Sequence, residues 1–181
     1  DDSDEVKISM KKGIDGIGLY RTEYLFMNKK TIPSEQDQFN SIKKTVMHLK
    51  GKPLTIRTLD VGNDKKVPSI EKYLTKSPNP ALGLRAIRLT LAFPKIFKRQ
   101  ITAILRASSY GNIRIMLPMV SNVSELIETK KIITEVKKDL LKKNKRLKIT
   151  TPKIGVLIET PAAALISEEL AKNCDFFAIG T

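Results

Sequence analysis

The sequence predicts an α/β fold in which parallel strands alternate with amphipathic helices. Three observations carry this. Short apolar runs of the buried-strand kind recur at 16–20 (GIGLY), 53–59 (PLTIRTL), 113–116 (IRIM), 154–158 (IGVLI) and 176–179 (FFAI). Between them lie longer segments with helical apolar spacing and their own start signals. No Gly/Ser/Pro-rich linker and no repeat of fixed period interrupts the alternation. Two architectures are built this way, a doubly wound sheet and a (β/α)8 TIM barrel, and periodicity does not choose between them. A barrel takes about 250 residues, so in a chain of 181 residues the barrel reading implies an incomplete one, with about five of eight strands.

Element by element, the strand at 16–20 leads to a helix around 34–49, with Pro33 and Ser34 near its start. Gly51 closes that helix and PLTIRTL gives the second strand. The polar segment 60–78 is too long for a mere connector, and loops of that kind tend to carry function. Asn79 and Pro80 then have the pattern of a helix cap and first helical residue, opening a helix to about residue 91. A second helix at 94–108 passes through Gly111 to the third strand. After Pro118, Ser121, Ser124 and Glu125 carry a capping-box pattern that starts a charged helix to about Asn144. The fourth strand follows at 154–158, then a helix at 161–172, and the fifth strand meets Gly180 and Thr181.

Composition narrows the function classes. A hydrophobic fraction of 41% in 181 residues fits one globular domain with a sizeable core. The formal charge of +14 raises nucleic-acid binding. Its distribution argues against that, because Lys130-Lys131, Lys137-Lys138 and Lys142-Lys143 alternate with Glu128, Glu135 and Asp139 as on a solvated helix face. No apolar run approaches the roughly 20 residues of a membrane span, and the acidic residues 1–5 are unlike a signal peptide. A cytoplasmic protein that binds neither membrane nor nucleic acid is expected. The lone Cys174 can form no internal disulfide, and His48 has no Cys or second His to help it hold a metal.

Chemistry is expected at the strand ends. Arg21 follows GIGLY, Arg57 sits late in PLTIRTL with Asp60 just after it, Pro118-Met119 follow the third strand, and Glu159 follows IGVLI. In parallel α/β folds the loops at the C-terminal strand ends converge, so these residues would face one another. An arginine presents a planar, permanently charged fork that pairs with phosphate or carboxylate, and two of them suit a doubly anionic substrate. One Glu beside them is a reasonable ligand for Mg²⁺, which takes one or two carboxylates plus substrate oxygens. Together they describe metal-assisted phosphoryl chemistry. On spacing alone, an equally good account makes Arg21, Glu23, Arg57 and Asp60 structural ion pairs at the rim. Gly62-Asn63-Asp64-Lys65 is a turn-forming segment, and Arg85 and Arg88 share one face of the helix read at 80–91.

The longer motifs add a resemblance. GIGLYRTEYLFM at 16–27, RTLDVGNDK at 57–65, NPALGLRAIR at 79–88, AILRASSYGNIRIMLPMV at 103–120, IGVLIETPAAA at 154–164 and DFFAIGT at 175–181 resemble successive segments of the phosphoenolpyruvate-binding barrel of enzyme I of the bacterial sugar phosphotransferase system, in order. The likeness spans nearly the whole chain. It implies phosphoenolpyruvate phosphate oxygens at Arg21 and Arg57, with Arg85 nearby, and Mg²⁺ on Glu159, with no catalytic acid in this chain. It further implies transfer of the phosphoryl group to a histidine of a mobile domain and on to the carrier HPr, and a homodimer for the full-length protein. Asn63 and Leu84 depart from the family's usual glycine and aromatic residue without removing a charge. The resemblance makes 1–181 a single partial domain. The family's phosphohistidine domain, a second metal-ligating carboxylate, a further arginine and a proton-donating cysteine would all lie outside it. Cys174 falls where the family has an ordinary apolar residue, which implies a structural role. Two rivals remain at this stage: the barrel of a pyruvate phosphate dikinase or phosphoenolpyruvate synthase, and an inactive fragment kept as a binding module. The chain alone is expected to be inactive and marginally stable.

Overall fold

A computed structural model describes residues 3–27, 29–62, 67–75, 78–79 and 83–180. Its strands are β1 (Ile17–Arg21), β2 (Leu54–Arg57), β3 (Ile113–Leu117), β4 (Lys153–Ile158) and β5 (Phe176–Ile179). They form one parallel sheet in the order β1-β2-β3-β4-β5, curled as half of a barrel. A doubly wound sheet reverses its strand order at a switch point. Here every strand pairs with its sequence neighbour, an order consistent with an incomplete barrel.

Alternation along each strand separates two faces. Leu54, Ile56, Ile113, Ile115, Leu117, Ile154 and Val156 join one core cluster with Ile42 and Val46 of α2 (Glu35–His48) and Ile101 and Ile104 of α4 (Pro94–Ala107). Burying each such aliphatic side chain is worth about 1.5–3 kcal/mol, and this layer clamps the helices to the outside of the sheet. Cys174 packs against the same cluster as a partly buried apolar group. A second cluster of Phe26, Leu59, Val61, Val67, Ile70, Leu89 and Ile96 lies under the segment that follows β2. The segment read as polar is anchored by Val61, Val67 and Ile70 of its own, and Ser69 Oγ adds a hydrogen bond to the Phe26 carbonyl.

Helix starts follow side-chain chemistry. Ser34 caps α2 and shares a reciprocal capping box with Asp37. The helix α5 (Val123–Lys143) is capped by Asn122 with Glu125 at the third position, so the box begins one residue later than Ser121. Three further expectations are corrected. The helix read from residue 80 begins only at Ala86 as α3 (Ala86–Ala92), and Arg85 is its N-cap. Residues 80–82 lie outside the described residues, but Gly83 to Arg85 are not helical. The helix read at 161–172 is two, α6 (Pro161–Leu165) and α7 (Ser167–Ala171), broken at Ile166. A helix α1 (Ser3–Lys11) precedes β1, where the acidic start had given no element. No helix among the described residues is long and apolar enough to cross a membrane.

Candidate functional site

The register of the sheet puts Arg21 beside Arg57, and Arg57 beside Met116, at the C-terminal rim. Arg57 is the hub. Its Nη2 donates to Glu23 Oε1 and its Nη1 lies 3.3 Å from Asp60 Oδ2. Asp60 Oδ1 in turn accepts from Arg85 Nη2 at 2.8 Å. Glu23, Asp60 and Arg85 are only 3%, 4% and 8% exposed, so the line Glu23–Arg57–Asp60–Arg85 is a buried ionic network. The ion-pair account of the rim thus holds for Glu23, Arg57 and Asp60, and Arg85 joins them. Burial does not make such a network a source of net stability, because desolvation offsets attraction. What it does is fix the planes of two guanidinium groups. Each carries five N–H donors. Arg21, exposed, lies with its guanidinium 4.7 Å from the centre of the Tyr24 ring.

Backbone contacts place these groups. Thr22 Oγ1 donates to the Arg57 carbonyl at 2.9 Å, and Leu59 N–H donates to Gln100 Oε1 at 3.0 Å, which turns the chain so that Asp60 follows the strand end. Ala86 has φ +49 and its N–H reaches the Val61 carbonyl at 3.3 Å. A left-handed alanine costs about 1–2 kcal/mol relative to right-handed backbone, and this one aims Arg85 back at Asp60. The GNDK turn cannot be placed in the same way, because residues 63–66 lie outside the described residues.

Glu159 stands one residue beyond β4. Its Oε1 accepts from the Met119 N–H at 2.7 Å, and Met119 is itself left-handed at φ +58. Thr160 Oγ1 donates to the Val120 carbonyl at 2.8 Å and accepts from the Ala163 N–H at 3.1 Å, capping α6. The rim desolvates the Glu159 carboxyl and raises its pKa above the ordinary carboxylate value; Asp60 acts in the same direction, while the Met119 N–H, Arg57 and Arg85 oppose it. Among the described residues no group of three or more His, Cys, Asp or Glu could enclose a metal. Hard carboxylate oxygens such as those of Glu159 fit a cation such as Mg²⁺ that draws its other oxygens from substrate and water.

Arg21, Arg57 and Glu159 stand at this rim, and Arg85, expected near the two arginines, joins the network through Asp60. Arg88 sits inside α3 and donates from Nη2 to Ser121 Oγ at 2.8 Å. Gln100 and the left-handed Met119 were not foreseen. Gln100 had a signal, being a polar residue within the apolar stripe of Ile96, Phe97, Ile101 and Ile104.

The family described as PEP-utilising enzyme, PEP-binding domain, matches residues 1–181. The chain belongs to this family. Among curated relatives of this PEP-binding domain, the phosphoenolpyruvate-protein phosphotransferases of Geobacillus stearothermophilus and Bacillus subtilis (strain 168) are each 43% identical over 178 residues, or 98% of this chain. The protein of the same name from Listeria monocytogenes is 41% identical over 172 residues. The PEP-binding domain sequence spans 30–31% of the length of these relatives.

Proposed function

We propose that this chain is the phosphoenolpyruvate-binding part of an enzyme I, a phosphoenolpyruvate-protein phosphotransferase that moves the phosphoryl group of phosphoenolpyruvate to a protein histidine and then to HPr. The observation that supports it is the meeting of Arg57, Arg85 and Glu159 on one rim of a chain from a PEP-binding family. In this reading Arg21, Arg57 and Arg85 neutralise and orient the phosphate oxygens. The fixed guanidinium planes give a preorganised, charge-assisted anion site, each hydrogen bond to a charged group worth about 1.5–3 kcal/mol. Glu159 is the Mg²⁺ ligand this chain supplies. Bound Mg²⁺ screens the charge of the phosphoryl oxygens. Residues beyond this chain complete the barrel, the metal site and proton delivery, and the intact protein acts as a cytoplasmic homodimer.

The test uses the intact protein. Arg57→Ala should weaken phosphoenolpyruvate binding and slow turnover at every Mg²⁺ concentration, whereas Glu159→Ala should raise the Mg²⁺ requirement in a way that excess metal partly relieves. Identical Mg²⁺ titration midpoints for the two variants and the unmodified enzyme would remove Glu159 from the metal site. Label from phosphoenolpyruvate that never reaches HPr would remove the enzyme I reading.

A further inference from the structure

Glu159 projects from a loop, yet two features outside its own strand hold its side chain in one direction. The first is the β3–α5 turn. Met119 is left-handed at φ +58, a conformation that turns its N–H onto Glu159 Oε1 at 2.7 Å. That turn is pinned from three directions. Ser121 N–H donates to Glu125 Oε2 at 2.7 Å, Ser121 Oγ donates to the Met119 carbonyl at 3.4 Å, and Arg88 Nη2 of α3 donates to Ser121 Oγ at 2.8 Å. The second feature is Gly180. Its N–H extends the β4–β5 ladder to the Ile158 carbonyl at 2.9 Å, so it lies beside Glu159. A Cβ on Gly180 would stand 2.9 Å from Glu159 Cβ and 3.6 Å from its Cα. The atom it meets is at the root of the side chain rather than its flexible end, so Glu159 as a whole would have to move.

We propose that Met119 and Gly180 are positioning residues for Glu159, forming a two-sided mount: the Met119 N–H occupies Oε1, Gly180 leaves room for the side chain's root, and Oε2 is thereby presented to the cation. The proposal rests on the reading of Glu159 as a metal ligand and adds what makes that ligand effective. The side chain of Met119 plays no part in it, only its backbone. Neighbours that orient a metal ligand commonly change affinity about 10–100-fold when altered.

The test measures Mn²⁺ binding to the intact protein by electron paramagnetic resonance, as a stand-in for Mg²⁺, alongside thermal unfolding followed by circular dichroism. Gly180→Ala should weaken Mn²⁺ binding about tenfold or more with the unfolding transition retained, since Gly180 does not need a left-handed backbone. Met119→Ile, β-branched and ill suited to φ +58, should weaken binding likewise, and Met119→Gly should restore it. A Met119→Gly variant as weak as Met119→Ile would overturn the backbone role, and wild-type affinity in Gly180→Ala would overturn the second half of the mount. Glu159→Gln separates this from the parent reading. If Glu159→Gln abolishes Mn²⁺ binding while Gly180→Ala and Met119→Ile leave it intact, the mount alone fails; if Glu159→Gln binds normally, both fail.

Discussion

Gly155 lies in the middle of β4, paired in register with Phe176 of β5. A Cβ placed there would stand 2.4 to 2.5 Å from three atoms of the Phe176 ring. Ordinary carbon contacts are about 3.5–4.0 Å, so Gly155→Ala requires the ring to retreat by about 1 Å or more. Two routes are open. The half-buried ring can swing outward, forfeiting part of the roughly 1.5–3 kcal/mol that burying a Phe contributes, or β5 can shift, at the usual overpacking cost of about 1–3 kcal/mol. Both lead to a loss of about 1–3 kcal/mol. With a urea slope near 2 kcal/mol per molar, the unfolding midpoint should fall by about 0.5–1.5 M. The deciding assay is a double-mutant cycle with Phe176→Leu, whose smaller side chain frees the space above residue 155. In the Phe176→Leu background Gly155→Ala should cost at least about 0.5 kcal/mol less than alone. An unchanged midpoint for Gly155→Ala, or a cost that Phe176→Leu does not reduce, would refute this account of why β4 carries a glycine.

Arg57→Ala removes the guanidinium shared by two buried carboxylates and should destabilise by about 3–5 kcal/mol in urea, whereas Lys98→Ala, which breaks an exposed pair with Glu135 at 2.8 Å, should cost under about 1 kcal/mol. Equal costs would mean that the rim network is as solvated as the surface. Burial raises the pKa of Tyr20, with Ser41 at 2.9 Å opposing the shift, so the folded state favours the neutral phenol. That contribution is present below the unfolded value of 10.0 and is lost as pH rises through the higher folded value. Tyr20→Phe should therefore flatten the alkaline fall in the urea midpoint as pH rises above 10.0; an equally steep fall in both proteins would place the titration elsewhere.

All five strands could be read because a strand buried by helices needs a short apolar run, and GIGLY, PLTIRTL, IRIM, IGVLI and FFAI are that. The rim on which the candidate site stands could be read because parallel topology sends every C-terminal strand end to one side, where Arg21 and Arg57 end their strands and Glu159 follows its own. What escaped was set by tertiary contact. The Asn79-Pro80 signal is local, whereas the start of α3 is displaced to Ala86 where the backbone pairs with the Val61 carbonyl. The break at Ile166 contains neither Gly nor Pro to announce it. The left-handed backbone of Met119 leaves no trace in residue type, since nothing about methionine favours φ +58. Spacing left the ion-pair and anion-binding accounts of Arg57 balanced because the same guanidinium geometry serves both; the pairing with Glu23 and Asp60 bears on the first alone.

The strict order of the strands also sets a timetable for biosynthesis. Since each strand hydrogen-bonds to the one before it, the pairing partner of every new strand has already been synthesised when that strand leaves the ribosome. Translation proceeds at about 5–20 residues per second, so Arg57 is synthesised roughly 5–20 s before Glu159. The paired carboxylates Glu23 and Asp60 are thus made together with the rim's arginines, whereas Glu159 comes late, and Gly180, the residue that leaves space for it, later still.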